Sequence, residues 1–135
     1  MNAEQARREV GGVWEHRADG WWLSVAANLV PQVAAAMLRA EARFVTILAL
    51  QQGDNGLRVS WHWDVGGVLL SVAAHVSDGM PVPSIMDTYP GADWAERETR
   101  DYYAVTFEGR SETPTLMLRD GDRPGVLLCK SGEKL

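Results

Sequence analysis

The chain has 135 residues, 46% of them hydrophobic and 23% charged, the balance of one globular domain rather than a disordered segment. Thirteen Lys and Arg against eighteen Asp and Glu leave a net charge of −5 with no dense basic patch, which excludes nucleic acid as the expected partner. Cys129 is the single cysteine, so an intrachain disulfide and thiolate clusters for zinc or iron–sulfur are excluded, and the residue reads as a small buried hydrophobe.

The polar start predicts a short helix over residues 5–10, ended by Gly11 and Gly12. Residues 13–17 and 21–27 are strand candidates around Ala18-Asp19-Gly20, a hairpin signal that points Trp21 and Trp22 to opposite faces. Asn28 stands where it would cap a helix. Pro31 falls in the first turn, and Val30, Val33, Met37 and Leu38 recur at helical spacing up to about Glu41 or Ala42. Residues 44–50 are almost continuously apolar, the pattern of a central strand covered on both faces. After the turn Gln52-Gly53-Asp54-Asn55-Gly56, the residues Leu57, Val59, Trp61, Trp63 and Val65 alternate with Arg58, Ser60, His62 and Asp64. This predicts one core face and one wet face. Gly66-Gly67 then turns the chain into a second alternating run, residues 68–76, its antiparallel partner.

Pro81 and Pro83 break regular structure, Ser84 can cap a short turn, and a helix is expected from about Ala92 to Tyr102, after Pro90-Gly91. Short strands are expected over residues 115–118 and 126–129. The fold class is therefore α+β: an antiparallel or mixed sheet of four to five strands packed against two main helices. One domain spans residues 1–135, with a core over about residues 12–109 and an extended C-terminal tail, 110–135; the end from about Phe107 onward is expected to be held loosely until a partner orders it. No apolar run reaches the ~18 residues of a membrane span and no signal-like stretch opens the chain, so a cytoplasmic location is expected.

Candidate chemistry is sparse. His62 and His75 lie on the polar faces of adjacent strands, where they are expected to face each other; a metal there needs a third ligand, and Asp64 and Asp78 are arbitrary choices. No Gly-rich piece matches a nucleotide fingerprint, and no serine sits in a nucleophile elbow, so neither a catalytic residue nor a cofactor or metal site is assigned. The densest charge pattern is Glu96-Arg97-Glu98-Thr99-Arg100-Asp101. On a helix Glu96 can meet Arg100, and Arg97 can meet Asp101. Trp94, Glu98, Asp101 and Tyr102 fall roughly on one side. One reading is a solvated helix. The sharper one has Trp94 anchoring the helix by burial while Glu98 and Asp101 accept bonds from backbone amides of residues 81–90 or from arginines.

The stretch Val82-Pro83-Ser84-Ile85, then Tyr89-Pro90-Gly91-Ala92-Asp93-Trp94, Glu96-Arg97-Glu98, Asp101-Tyr102-Tyr103 and Phe107-Glu108-Gly109 resembles the 30-kDa-type subunit of respiratory complex I. The same domain type occurs in energy-converting, membrane-bound nickel–iron hydrogenases, and the resemblance covers roughly residues 20–120. It implies a structural and interface signature of Trp94, Glu96, Arg97, Glu98, Asp101, Tyr102, Tyr103, Phe107 and Gly109. It further implies a non-catalytic accessory subunit without a cofactor, attached to the membrane only through its complex. The implied partners are a large hydrogenase-like or complex I 49-kDa-like subunit and a small iron–sulfur subunit. The chain departs from the family pattern at Ala104, where a glycine is usual, at Arg110-Ser111, where His-Pro is usual, and in a basic tail reduced to Arg123, Lys130 and Lys134. The alternative is a free-standing protein-interaction module without a redox role. An enzyme would need a cleft that brings His62 or His75 against a carboxylate.

Overall fold

The computed structural model describes residues 2–53, 56–110, 113–119 and 121–128. Helix α1, Ala3–Val10, opens on a reciprocal cap: the Gln5 amide donates to Asn2 Oδ1 at 2.8 Å and the Asn2 amide to Gln5 Oε1 at 2.9 Å. Strands β1, Glu15–Arg17, and β2, Gly20–Ser24, form the expected hairpin. Gly20 is required there. Its φ is +123°, and a Cβ would stand 2.3 Å from the Leu69 carbonyl oxygen, where the hairpin meets the neighbouring strand.

Helix α2, Val30–Arg39, follows a 3-10 turn over Ala27–Leu29. Asn28 lies within that turn and does not cap the helix. The Leu29 amide donates to Ala26 at 3.0 Å, so the turn itself satisfies a group that a side-chain cap would have served. Pro31 sits in the first helical turn as expected, and the helix stops just before Glu41, at φ +59°.

The remaining elements are β3, Arg43–Gln51; β4, Leu57–Val65; β5, Val68–Val76; β6, Val82–Pro83; α3, Ala92–Tyr103; and β7, Phe107–Glu108. The sheet order is β1-β2-β5-β4-β3, antiparallel except for the β2–β5 pair, which makes it mixed. A separate small ladder joins β6 and β7 in parallel. Among the described residues the fold is α+β, with five strands in the main sheet and three α-helices.

Two expectations from the strand patterns fail. β3 is an edge strand, because β5 takes β2 on its far side and β4 has only β3 left to pair with. Its run of apolar residues is therefore mostly unused. Ile47 is buried, whereas Val45, Leu48 and Leu50 are exposed, with an irregularity between Phe44 and Thr46. Conversely, the face of β4 and β5 predicted to be wet is largely dry, with Ser60, His62 and Ser71 all buried. The opposite face behaves as read. Val59, Trp61, Trp63, Leu70 and Val72 join Ala6 of α1, Val30, Val33 and Met37 of α2, and Ala92 of α3 in one core cluster.

Candidate functional site

The signature segment supplies two buried carboxylates, both from α3. Glu96 is fully buried on the side facing β6. Its Oε1 accepts from Ser84 Oγ at 2.7 Å and from Arg110 Nη1 at 3.0 Å, and its Oε2 accepts from the Ile85 amide at 2.9 Å. The Arg110 side chain is itself buried and holds Asp93 with its other terminal nitrogen. One carboxylate and one guanidinium thus join three chain segments: the loop after β6, α3, and the strand end after β7. The β6–β7 ladder fixes their spacing, with the Val82 amide on Thr106 and the Ser84 amide on Glu108, each at 2.8 Å. A dry carboxylate is tolerable because every one of these donors lands on it.

Asp101, also fully buried, faces the opposite way. Its Oδ2 accepts the amides of Leu116, Met117 and Leu118 at 2.9, 2.7 and 3.2 Å, and its Oδ1 accepts from Arg100 at 3.2 Å. Arg97 reinforces the same contact by donating to the Thr115 carbonyl at 2.6 Å. The main-chain carbonyls of Asp101 and Tyr102 then take the amides of Gly125 and Leu127 at 2.8 and 2.9 Å. The tail is a strap laid across the outward side of α3. This is why residues 116–118 and 126–127 form bends and turns instead of the expected strands: their amides bond to the helix rather than to a ladder. Cys129, Lys130, Lys134 and Ser111 lie outside the described residues.

Several side-chain roles differ from the sequence reading. Neither Glu96–Arg100 nor Arg97–Asp101 pairs: residues distant in the chain occupy Glu96, Arg97 and Asp101, and Arg100 turns to the adjacent Asp101. Trp94 does not anchor the helix and is 63% exposed. It stands about 200° round the helix from Glu96, so burying one turns the other outward. Ala92, Glu96 and Thr99 form the buried side instead. Glu98 is partly exposed and makes no hydrogen bond or ion pair with the described residues; the structural role expected of it belongs to Glu96. The amides of residues 81–90 do not reach Glu98 or Asp101: Asp101 takes the amides of Leu116, Met117 and Leu118 with Arg100 beside it, and the Ile85 amide donates to Glu96. Phe107 is buried, Tyr103 packs against the core, and Gly109 turns the chain at φ +86°. Ser84, Asp93 and Arg110 were missed. Helical spacing sets Asp93 beside Glu96, but nothing local links either to position 84 or 110, which the β6–β7 pairing brings together.

Burial by itself pushes the Asp101 carboxyl up, but the Met117, Leu116 and Leu118 amides and Arg100 outweigh it and hold the group below the ordinary 3.8 of an aspartate. Folding therefore favours the ionised form. The strap's stabilisation is complete above that ordinary value and is lost as pH falls through the lower, folded one. Asp101→Asn should release the Leu116–Leu118 amides to rapid hydrogen exchange at neutral pH and cost about 1–3 kcal/mol. Unchanged protection of those amides would remove Asp101 from this role.

Ala104 closes α3 in the left-handed region, at φ 58° and ψ 29°. Such a cap suits glycine and strains other residues. Ala104→Gly should raise stability by roughly 0.5–1 kcal/mol, read from the urea midpoint.

The histidines do not converge. Register places His62 opposite Ser71 and His75 opposite Arg58. His62 is held by two serine hydroxyls and His75 by Gln52, so neither ring has a carboxylate as its partner. Among the described residues no group of three or more His, Cys, Asp or Glu is placed to hold a metal ion.

Comparison with known proteins gives three findings. The family model described as respiratory-chain NADH dehydrogenase, 30 Kd subunit, matches residues 23–126. A subunit of the NADH-quinone oxidoreductase of Bartonella bacilliformis is 44% identical over 78 residues, covering 52% of this chain and 38% of the relative. Its counterpart in Rhizobium johnstonii is 33% identical over 85 residues, covering 63% of this chain and 37% of the relative. The matched region thus spans less than two-fifths of either relative. Among solved structures, a chain of the membrane-bound sulfane sulfur reductase, an archaeal respiratory membrane complex, superposes with a TM-score of 0.78 at 18% identity, covering 98% of this chain and 83% of that one. At that identity the likeness is one of fold.

Proposed function

The chain belongs to the family of the 30-kDa subunit of respiratory-chain NADH dehydrogenase, and from that premise we propose that it is a non-catalytic accessory and assembly subunit of a complex I-like oxidoreductase. Its partners in this reading are a large subunit of the hydrogenase-like or complex I 49-kDa-like type and a small iron–sulfur subunit. Redox chemistry then belongs to those partners. Among the described residues no helix is long and apolar enough to cross a membrane. Attachment to the membrane runs through the partners.

The observation that supports this reading most directly is how the signature helix spends its side chains. Glu96 and Asp101 are consumed in holding the chain's own segments, while Trp94 is left 63% exposed and Met117 of the strap 65% exposed. Asp101, which holds the Met117 amide, stands about two turns along α3 from Trp94 on the same side. A large exposed aromatic on a rigid helix beside an apolar strap is suited to anchor a protein interface.

Affinity purification of the tagged chain from its native host, with mass spectrometry of the co-purifying chains, tests the proposal. Recovery of a large catalytic subunit together with an iron–sulfur subunit is expected. Recovery of neither would sink it. Trp94→Ala should leave the isolated chain within about 0.5 kcal/mol of wild type, yet reduce recovery of the complex about tenfold, equivalent to ~1.4 kcal/mol of binding.

A further inference from the structure

β4 and β5 carry a second polar constellation, on the sheet face turned away from the core cluster. Ser60 Oγ lies 2.8 Å from His62 Nε2, and Ser71 Oγ lies 2.8 Å from His62 Nδ1. Exposure is 8% for Ser60, 5% for His62 and 0% for Ser71. Among the described residues, two side chains of the sheet itself stand against this group. The Trp22 ring meets His62 edge-on at 5.6 Å, and the Arg58 guanidinium stands 5.1 Å from the centre of that same ring. Arg17 stands 5.0 Å from it, and the Trp22 indole N–H is tied to Asp19 at 2.8 Å.

This arrangement fits a neutral imidazole. One ring nitrogen donates and the other accepts, and two hydroxyls satisfy both whichever nitrogen carries the proton. An imidazolium donates from both nitrogens. The hydroxyl that donates to the neutral ring would then have to accept instead, and its proton would need a new acceptor in a buried site. The new charge would also be opposed by the Arg58 guanidinium. The other ionisable groups on this face are already engaged. Glu15 of β1 is bound to Arg17, and Asp64 of β4 is bound to Arg43 and to the Gly67 amide. His75 of β5 is bound to Gln52, and β3 places Thr46, which does not ionise, opposite His62. Among the described residues, Asp19 is the carboxylate that favours a charged His62. Burial outweighs it, and with Arg58 it holds the His62 pKa below the ordinary 6.5.

We propose that Ser60, His62 and Ser71, beneath Trp22 and Arg58, form a proton-operated latch: the cover is closed while His62 is neutral, and protonation of His62 lifts Trp22 and Arg58 off the sheet. The sign follows from a folded pKa below the unfolded one. The closed state has its full stability above the ordinary histidine value and loses it as pH falls from there toward the lowered value. What the latch uncovers is a sheet face flanked by the exposed Leu48 and Leu50 of β3.

Proton–nitrogen NMR of the full chain, from about pH 7.5 down to about pH 5, reads the latch directly. The Trp22 indole resonance, assigned with Trp22→Phe, should move with the same midpoint as the His62 ring, while the amide spectrum of the core strands persists. His62→Gln should abolish that movement. Arg58→Gln alters a partly exposed side chain and leaves the histidine in place, so it tests the charge coupling even if the His62 variant fails to fold; it should move the His62 midpoint upward. A Trp22 resonance that follows His16 or His75, that stays still while His62 titrates, or a midpoint unmoved by Arg58→Gln, overturns the proposal.

Discussion

Replacing Glu96 with alanine should destabilise the chain by about 3–5 kcal/mol, the range for breaking a buried charged pair by removing one partner. The loss is large because three donors lose their acceptor together. The half-buried Ser84 hydroxyl and the buried Ile85 amide lose it, and the buried Arg110 guanidinium loses its fully buried carboxylate. Asp93 sits at a more exposed position and cannot replace the contact inside the fold. Glu96→Gln separates charge from shape: it preserves the volume but presents an amide nitrogen or a weaker acceptor to Arg110. It should fall between wild type and alanine. Glu98→Ala, two residues away, should stay within about 0.5 kcal/mol. Urea midpoints at constant slope measure all three. Equal losses at 96 and 98 would mean that the helix acts through general charge rather than through this network.

Trp61→Ala should cost a comparable ~3–5 kcal/mol, for a different reason. Trp61 is fully buried at the centre of the sheet, paired with Ile47 on one side and Val72 on the other. Removing the indole opens a cavity among the side chains of the core cluster, which relax only partly to fill it. The indole nitrogen has no hydrogen-bond partner among the described residues. A desolvated donor without an acceptor opposes folding, so Trp61→Phe, which deletes that donor and fills much of the volume, should retain most of the stability. The ordering Phe above Ala is the test. A Phe variant as unstable as Ala would mean that the indole nitrogen has found a partner, and that the ring's polarity matters more than its volume.

The two variants also separate the functional readings. Trp61 changes act on the core and should lower stability and partner binding together. Trp94 changes should leave stability alone and weaken partner binding. A chain that binds normally without Trp94 would have to dock through another surface.

Local pattern determined the elements whose information is local. The hairpin of β4 and β5 was legible because strict alternation and Gly66-Gly67 specify register without reference to the rest of the chain. The core residues Val59, Trp61 and Trp63, the start of α2 at Pro31 and the position of α3 follow from the same short-range rules. The signature around α3 was legible as a resemblance, and charge spacing drew attention to its carboxylates. Tertiary structure decided what those groups do. Helical spacing pairs neighbours on one helix, but β6–β7 pairing brought Arg110 and Ser84 to Glu96, and the returning tail brought three amides to Asp101. It also decided that the apolar β3 lies at an edge and that the polar face of β4 and β5 is dry. Strand order and the cover provided by Trp22 and Arg58 depend on residues far apart in the chain, and a local apolar or alternating pattern has the same form whether its second face meets water or protein.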